Sequence, residues 1–509
     1  MSGPIGKPTP YIDGVQKVTG KAMYTDDYRF PNMLYVGLLR SPHAHAHIKH
    51  IDTSAAETYP GVSAVTVGTD LPISFGILPI SSDENAMAVE KVRYVGEIVA
   101  AVAAETMEAA QKGAEKIIVE YDPVRAFIDP GDSLEVCDPA EQIHSHTKGG
   151  KNIHKTAELR FNEPEKALEQ SPFKRTGSFK FAGVTHAFTE PHSTIAIWNG
   201  DETLTVISAT QVPHYLHRNL SKVLELPMHR VRVKKPALGG GFGGKSDPFA
   251  HEMITAYLSM KTKRPVKCTF SREEVFINNH GRHPTTIDMS VGCDQDGIIT
   301  ALDTDTIIDG GAYGSFGVVT SYYNGVLLQG PYKIDKLGFR TRRAYTNKPQ
   351  CGAMRGHGAV NPRYAMEVIL DMLAHDAGID PCDLREKNFL EENTVTVGQL
   401  RITSNGVRDC LQAVRKKSNW DKLYGKQPYG RGLGIGCGFY ISGSALPIIW
   451  NHYPQTVVHA KLDFDGRIVM FSGASDIGQG SDTILAQIAS EELGVPMNYV
   501  QLEVADTKT

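Results

Sequence analysis

The stretch Ala237-Leu238-Gly239-Gly240-Gly241-Phe242-Gly243-Gly244-Lys245-Ser246 sets five glycines around one phenylalanine. Without a Cβ, such a loop reaches positive φ and lets backbone N–H groups come close to a ligand. A β-patterned run at 231–233 precedes it and a helical pattern at 249–260 follows. That order aims amides and a helix N-terminus at one point, which suits an anion. Gly239, Gly244, Lys245 and Ser246 also satisfy G-x-x-x-x-G-K-[ST], the nucleoside triphosphate loop. Three features weigh against that reading. The loop lies mid-chain, no hydrophobic run ending in a magnesium-binding Asp follows, and five glycines with a Phe exceed what a phosphate cradle needs.

Other residues of the same chemical kind are far away in the chain. Gln211 ends a strand pattern at 203–208 and offers an amide that both donates and accepts. In Cys351-Gly352-Ala353-Met354-Arg355-Gly356-His357-Gly358, Arg355 is either an anion clamp or a guanidinium satisfying nearby carbonyls. His357 is either a proton carrier near neutral pH or a packed, hydrogen-bonded ring. Tyr323 is either a proton or hydrogen-bond donor to a substrate oxygen or a core tyrosine. A second glycine turn, Ser475-Asp476-Ile477-Gly478-Gln479-Gly480, again stands between a strand pattern and a helical one. The alternating His43, His45 and His47 share one face of a strand, but no carboxylate or thiolate joins them, and a structural role is favoured over metal binding.

These residues need a large scaffold. The chain has 509 residues, 41% of them hydrophobic, enough for several domains with sizeable cores. Its formal net charge of −4 argues against a general nucleic-acid or membrane-surface binder. No apolar run approaches the roughly 20 residues of a membrane helix, and no signal-peptide core opens the chain, so a cytoplasmic location is expected. Seven cysteines, none in a C-x-x-C pair, suit scattered reduced thiols and leave no cluster for iron–sulfur ligation. Residues 1–130 read as a small α/β unit with strands at 34–40, 62–67 and 97–104 and a helix at 106–116. The polar stretch 130–155 reads as a linker, 155–400 as one larger domain, and 405–509 as the start of another. Within the last two, 285–292 and 298–308 are expected to pair through an Asp-Gly turn, and 432–440 is expected to be a glycine-rich strand.

Taken together, the loop 239–245, Ala353-Met354-Arg355-Gly356, Asp476-Ile477-Gly478-Gln479-Gly480 and Thr210-Gln211 resemble the molybdopterin-binding segments of the xanthine oxidase/aldehyde oxidase family, in the family's order. The resemblance runs along the whole chain. It implies an α+β and α/β multidomain fold, with an N-terminal hammerhead-like domain followed by molybdopterin-binding domains. It implies a molybdenum–molybdopterin cofactor, alone or as the cytosine dinucleotide, held by Gln211, Gly240, Gly241, Phe242, Gly243, Ala353, Arg355, Gly478, Gln479 and Gly480, with no metal bound by side chains directly. An iron–sulfur subunit and an FAD subunit would be partners, and a small aromatic molecule the substrate. His357, Tyr323 and Trp450 bring the chain nearest to the family's 4-hydroxybenzoyl-CoA reductase branch, where Tyr323 and His357 are expected to be catalytic. Ser246 stands where the purine branch has a substrate-binding Glu. The family's catalytic Glu lies beyond the matching part, so a C-terminal extension or a further chain is expected to supply it. A hydroxylase of an N-heterocycle, purine or aldehyde is the alternative.

Overall fold

The computed structural model describes residues 3–147, 151–278, 280–441 and 457–508. Trp450 lies outside them, as does part of the expected linker. The largest sheet has seven strands in the order Val231–Lys234, Leu204–Ser208, Ser193–Trp198, Val266–Thr269, Leu34–Arg40, Ile98–Ala104 and Val62–Val67. It therefore crosses the boundary drawn near residue 130. Leu34 and Tyr35 pair in parallel with Val266 and Lys267. Ile98–Ala104 is buried at all seven positions, because strands flank both its edges and helices cover the sheet. Alanine at four of those positions lets a helix come near. At neighbouring Gly37, a Cβ would fall 2.2 Å from the carbonyl oxygen of Ala110.

The helix Ala250–Thr262 is buried along most of its length against this sheet. The Glu252 carboxylate accepts the N–H of Phe249 at 2.8 Å and closes the helix start. Ser208 Oγ donates to the other Glu252 oxygen at 2.5 Å. Burial still pushes Glu252 up to about 7.

A second core lies between a five-stranded sheet and the helix Val360–Ala377. The strand order is Ile153–Phe161, Leu337–Ala344, Ile299–Asp309, Thr285–Cys293, Phe173–Phe181. The expected 285–308 hairpin is its antiparallel centre, closed by Gly297 at φ 82°. Strands Val458–Leu462, Ile468–Ser472 and Val500–Val504 make a third sheet, carrying the helix Ser481–Leu493.

Two expectations are corrected. Residues 432–440 are not a strand. Leu433, Ile435 and Cys437 lie against the second core, and the Cys437 N–H bonds to the Glu367 carboxylate at 3.0 Å in place of a ladder partner. The stretch 130–147 is not a free linker. Ser133 Oγ donates to the Tyr345 carbonyl at 2.6 Å, and His144 is buried against Ala312 and Tyr345. Ser133, Gln142 and His144 point inward to partners, which composition alone cannot reveal. Among the described residues no helix is long and apolar enough to cross a membrane.

Candidate active site at two facing loops

Gln211 is the pivot of the site. Its Oε1 accepts the N–H of Gly243 at 3.0 Å and of Lys245 at 3.2 Å, while its own N–H donates to the Lys245 carbonyl at 2.8 Å. The amide oxygen is thus used by the loop, and the Nε2 donor is the end left for a ligand. Gly240 and Gly243 have φ of 93° and 102°, and Phe242 holds φ 54° and is 40% exposed. A non-glycine residue in that region is strained, and such strain concentrates where a chain grips a ligand. The N–H groups of Gly240, Gly241 and Phe242 meet no acceptor among the described residues.

Ala353–Arg355 faces this loop. The N–H of Arg355 donates to the Phe242 carbonyl at 2.9 Å, and its guanidinium lies 5.3 Å from the Phe242 ring centroid. A Cβ on Gly243 would stand 2.4 Å from the Ala353 carbonyl oxygen. Two histidines, His186 and His192, fasten the pair from beneath. His186 Nε2 donates to Ala353 O at 2.8 Å and His192 Nε2 to Gly244 O at 3.1 Å. Arg282 donates to the Arg355 carbonyl at 2.6 Å. Burial lowers Arg282, and the neighbouring Arg355 charge lowers it further. Neither arginine has a salt bridge among the described residues, so this end of the site is positive and suited to an anion.

The triphosphate alternative fails on geometry. Lys245 Nζ is not presented to a phosphate. It is buried on Glu190 Oε2 at 2.8 Å, above the Phe188 ring. Ser246 Oγ, which would hold magnesium in such a loop, donates to Gly243 O at 2.5 Å.

The second glycine turn adjoins the first site. Lys235 Nζ donates to Asp476 O at 2.8 Å, and a Cβ on Gly473 would lie 3.4 Å from His214 Nε2. Gly478 and Gly480 have φ of 106° and 83°. Gln479 is turned onto its own loop, with Oε1 accepting from the Ile477 N–H at 2.6 Å and Nε2 donating to Ser475 O at 3.1 Å. Gln211, Phe242 and Arg355 are therefore brought together, while the Gln479 side chain serves its own turn.

His357 and Tyr323 are neighbours, with ring centroids 6.0 Å apart. Tyr323 lies on the helix Gly317–Val326, buried among Leu327, Ala359 and Leu400. His357 Nε2 pairs with Thr320 Oγ1 at 2.5 Å. Although part of the residue stays accessible, desolvation holds its ring down at about 4. At neutral pH the ring is uncharged, so the expected proton exchange near neutrality gives way to a fixed hydrogen-bonding role. His45 is also packed, with Nδ1 on the Arg125 carbonyl at 2.6 Å. No group of three or more His, Cys, Asp or Glu among the described residues could hold a metal ion.

Known families fit this architecture. A molybdopterin cofactor-binding domain matches residues 144–389, and another matches 413–509. The hammerhead domain of aldehyde oxidase and xanthine dehydrogenase matches 19–125. The nicotinate dehydrogenase large molybdopterin subunit of Eubacterium barkeri is 34% identical over 417 residues, 81% of this chain and 96% of that subunit. The chain belongs to the molybdopterin-binding xanthine dehydrogenase/aldehyde oxidase family. A putative xanthine dehydrogenase molybdenum-binding subunit of Escherichia coli is 32% identical over 96% of this chain, and the chain spans 66% of that relative's length. Quinoline 2-oxidoreductase of Pseudomonas putida superposes with a TM-score of 0.89 at 25% identity, covering 99% of this chain and 67% of that one.

The site fits the family's cofactor. Three backbone amides and one side-chain amide donor without acceptors among the described residues, with two guanidiniums that form no salt bridge there, suit an anionic pterin phosphate. Sequence reading missed Glu190, His186, His192 and Arg282, because each acts through a loop more than 30 residues away.

Gln211→Ala removes both the loop's acceptor and the free donor, leaving two amides unpaired at about 1–3 kcal/mol each. It is expected to lower molybdenum content severalfold, read by metal analysis, while circular dichroism shows the fold retained. Acid should also loosen the chain. Burial holds His45 and His357 at about 4 and His251 at about 3, and pushes His144, His154, His192 and His283 well below the ordinary value. The unfolded chain protonates these rings near 6.5. Stability present above that pH is therefore lost as pH falls toward 4, at up to about 1.4 kcal/mol per ring per pH unit. Glu252 at about 7 and Asp482 at about 6 act in the opposite sense, losing stability as pH rises through those values. The histidines outnumber them, so Tm should drop steeply from pH 6.5 to 4.5.

Proposed function

We propose that this chain is the cofactor-binding catalytic subunit of a molybdenum-dependent oxidoreductase that hydroxylates an aromatic N-heterocycle. The observation that carries the reading is the meeting of Gln211, Phe242 and Arg355 at one place, beside three amides with no acceptor among the described residues. The 34% identity with a nicotinate dehydrogenase subunit over nearly its whole length supports the substrate class. The bound cofactor would supply oxygen transfer between water and an aromatic carbon, with two electrons taken up. The chain's own parts divide the remaining work. Gly240, Gly241 and Phe242 donate backbone hydrogen bonds to the anionic group, and Arg355 with Arg282 balances its charge. Gln211 Nε2 donates toward the reacting centre. The Phe242 ring walls the site and excludes water from one side. Gly478 and Gly480 give the second turn, ahead of the helix Ser481–Leu493, a backbone shape whose amides would help hold the cofactor. Domains at 1–130, 155–400 and from 405 onward would share these tasks. Electrons would leave through iron–sulfur and FAD subunits, and a further protein segment would provide the catalytic glutamate. A cytosine dinucleotide form of the cofactor and a cytoplasmic location complete the reading.

A second reading, reductive dehydroxylation of an aryl-CoA such as 4-hydroxybenzoyl-CoA, is favoured by the Tyr323–His357 pair and by Ser246 at the position of a purine-binding Glu. In that case Tyr323 would donate to the substrate oxygen and the neutral His357 would orient it.

The test is spectroscopic. The purified complex should contain molybdenum and be bleached by nicotinate under anaerobic conditions. Oxidation of the reduced complex by 4-hydroxybenzoyl-CoA, without bleaching by nicotinate, would select the second reading. Turnover of purines alone overturns the second reading, and an active complex without molybdenum overturns both.

A further inference from the structure

We propose that Asp247 and His280 form a buried positioning dyad that locks the two cofactor loops against each other. The pair is 95% or more buried. Asp247 follows the glycine loop by three residues. Its Oδ2 accepts His280 Nδ1–H at 2.6 Å and Ser315 Oγ at 2.5 Å. His280 reaches the opposite loop through its backbone. Its carbonyl shares the Gly352 N–H with that of Gly281, at 3.2 and 3.1 Å. A single residue thus holds, with its ring, the segment that follows the glycine loop and, with its main chain, Gly352 at the head of the Ala353–Arg355 loop.

The ring's orientation is determined from behind. Gln350 Nε2 lies 2.7 Å from His280 Nε2 and 2.7 Å from Glu84 Oε2. A carboxamide nitrogen has two protons and here meets two acceptors. His280 Nε2 is therefore bare, and the proton sits on Nδ1, facing Asp247. Glu84 belongs to the N-terminal hammerhead region, so that region fixes the tautomer of a histidine at the cofactor loops. The packing leaves no slack. A Cβ on Gly352 would stand 2.9 Å from His280 Cβ, 3.0 Å from Ser315 Oγ and 3.3 Å from Asp247 Oδ2. Such an arrangement is common around reactive centres, where outer groups set the aim of inner ones.

The inference rests on the reading of the site as a molybdopterin site, and its test separates the two. Asp247→Ala, Asp247→Asn and Gln350→Met are made in the intact complex. Molybdenum per chain, the visible circular dichroism of the cofactor and the kcat-to-KM split are recorded. Asn places a carboxamide oxygen where Oδ2 stood and should keep molybdenum within twofold and the dichroic bands unshifted. Ala should lose about tenfold in molybdenum, with the remaining fraction showing altered bands and a kcat loss larger than any KM change. Gln350→Met keeps volume but frees the ring to change tautomer, and should speed cofactor loss on gel filtration at least threefold. This milder variant decides the matter if the Ala variant does not fold. The dyad is overturned if Asp247→Ala matches wild type, if Asn is as damaging as Ala, or if Gln350→Met retains cofactor normally. Wild-type complex without molybdenum would overturn the underlying site reading instead.

Discussion

Glu190→Ala is expected to destabilise the chain by about 3–5 kcal/mol, the usual consequence of leaving one partner of a buried ion pair alone. Lys245 has no exposed side-chain surface, and Glu190 Oε2 carries both its ammonium and the Gly239 N–H at 2.8 Å. Burial already lowers the Lys245 pKa, with the Glu190 charge opposing that shift. Without the carboxylate the ammonium is left to the Phe188 ring 4.8 Å away, which offers roughly 2 kcal/mol at best. The glycine loop would lose its anchor at both ends, since Gly239 and Lys245 bracket it. Chemical denaturation and molybdenum content should fall together. The paired replacement Glu190→Gln with Lys245→Met should recover most of the stability, because it leaves no buried charge without a partner and the carboxamide oxygen can still accept the Gly239 N–H. A single variant within 1 kcal/mol of wild type would show that the pair bears no such weight.

Gly243→Ala comes next in size. At φ 102°, any side chain is strained, at about 1–3 kcal/mol. Here the added Cβ also meets the Ala353 carbonyl oxygen at 2.4 Å and Met354 Cα at 3.0 Å, both main-chain atoms that cannot swing aside. Overpacking of this kind adds about 1–3 kcal/mol. The loops must part, and Gln211 then loses its acceptor role toward the Gly243 N–H. Gly478→Ala is the matched control. Its φ of 106° imposes the same strain, yet nothing lies within 4 Å of the new Cβ. The 243 variant should lose at least tenfold more cofactor than the 478 variant. Equal losses would mean that loop contact is not what Gly243 protects.

These residues also show what was legible in the sequence. The glycine loop and Arg355 stand out because their chemistry is written locally, as glycine density and an arginine among glycines, whereas Gln211 stands out only through the family resemblance. The strands Leu34–Arg40 and Val62–Val67 follow from short-range hydrophobic spacing, and they fall where that spacing puts them. The Lys245–Glu190 pair could not be read, because a lysine after glycines has the same letters whether it faces a phosphate or a carboxylate. Nor could the state of His357. Its ordinary value places it near neutrality, and only the surrounding desolvation moves it. The strand expected at 432–440 failed for a related reason. Its alternation was real, but Glu367, not a neighbouring strand, takes up its backbone. Long-range partners decide such cases.

The seven-stranded sheet has a consequence for how the molecule is made. Leu34 waits for Val266, which emerges from the ribosome 226 residues after Arg40. At about 5–20 residues per second, the N-terminal strand spends roughly 10–45 s of synthesis without its neighbour. During that time an apolar edge is open to wrong partners. A chaperone that shields nascent chains is therefore expected to raise the yield of this protein more than that of one whose first domain closes on itself.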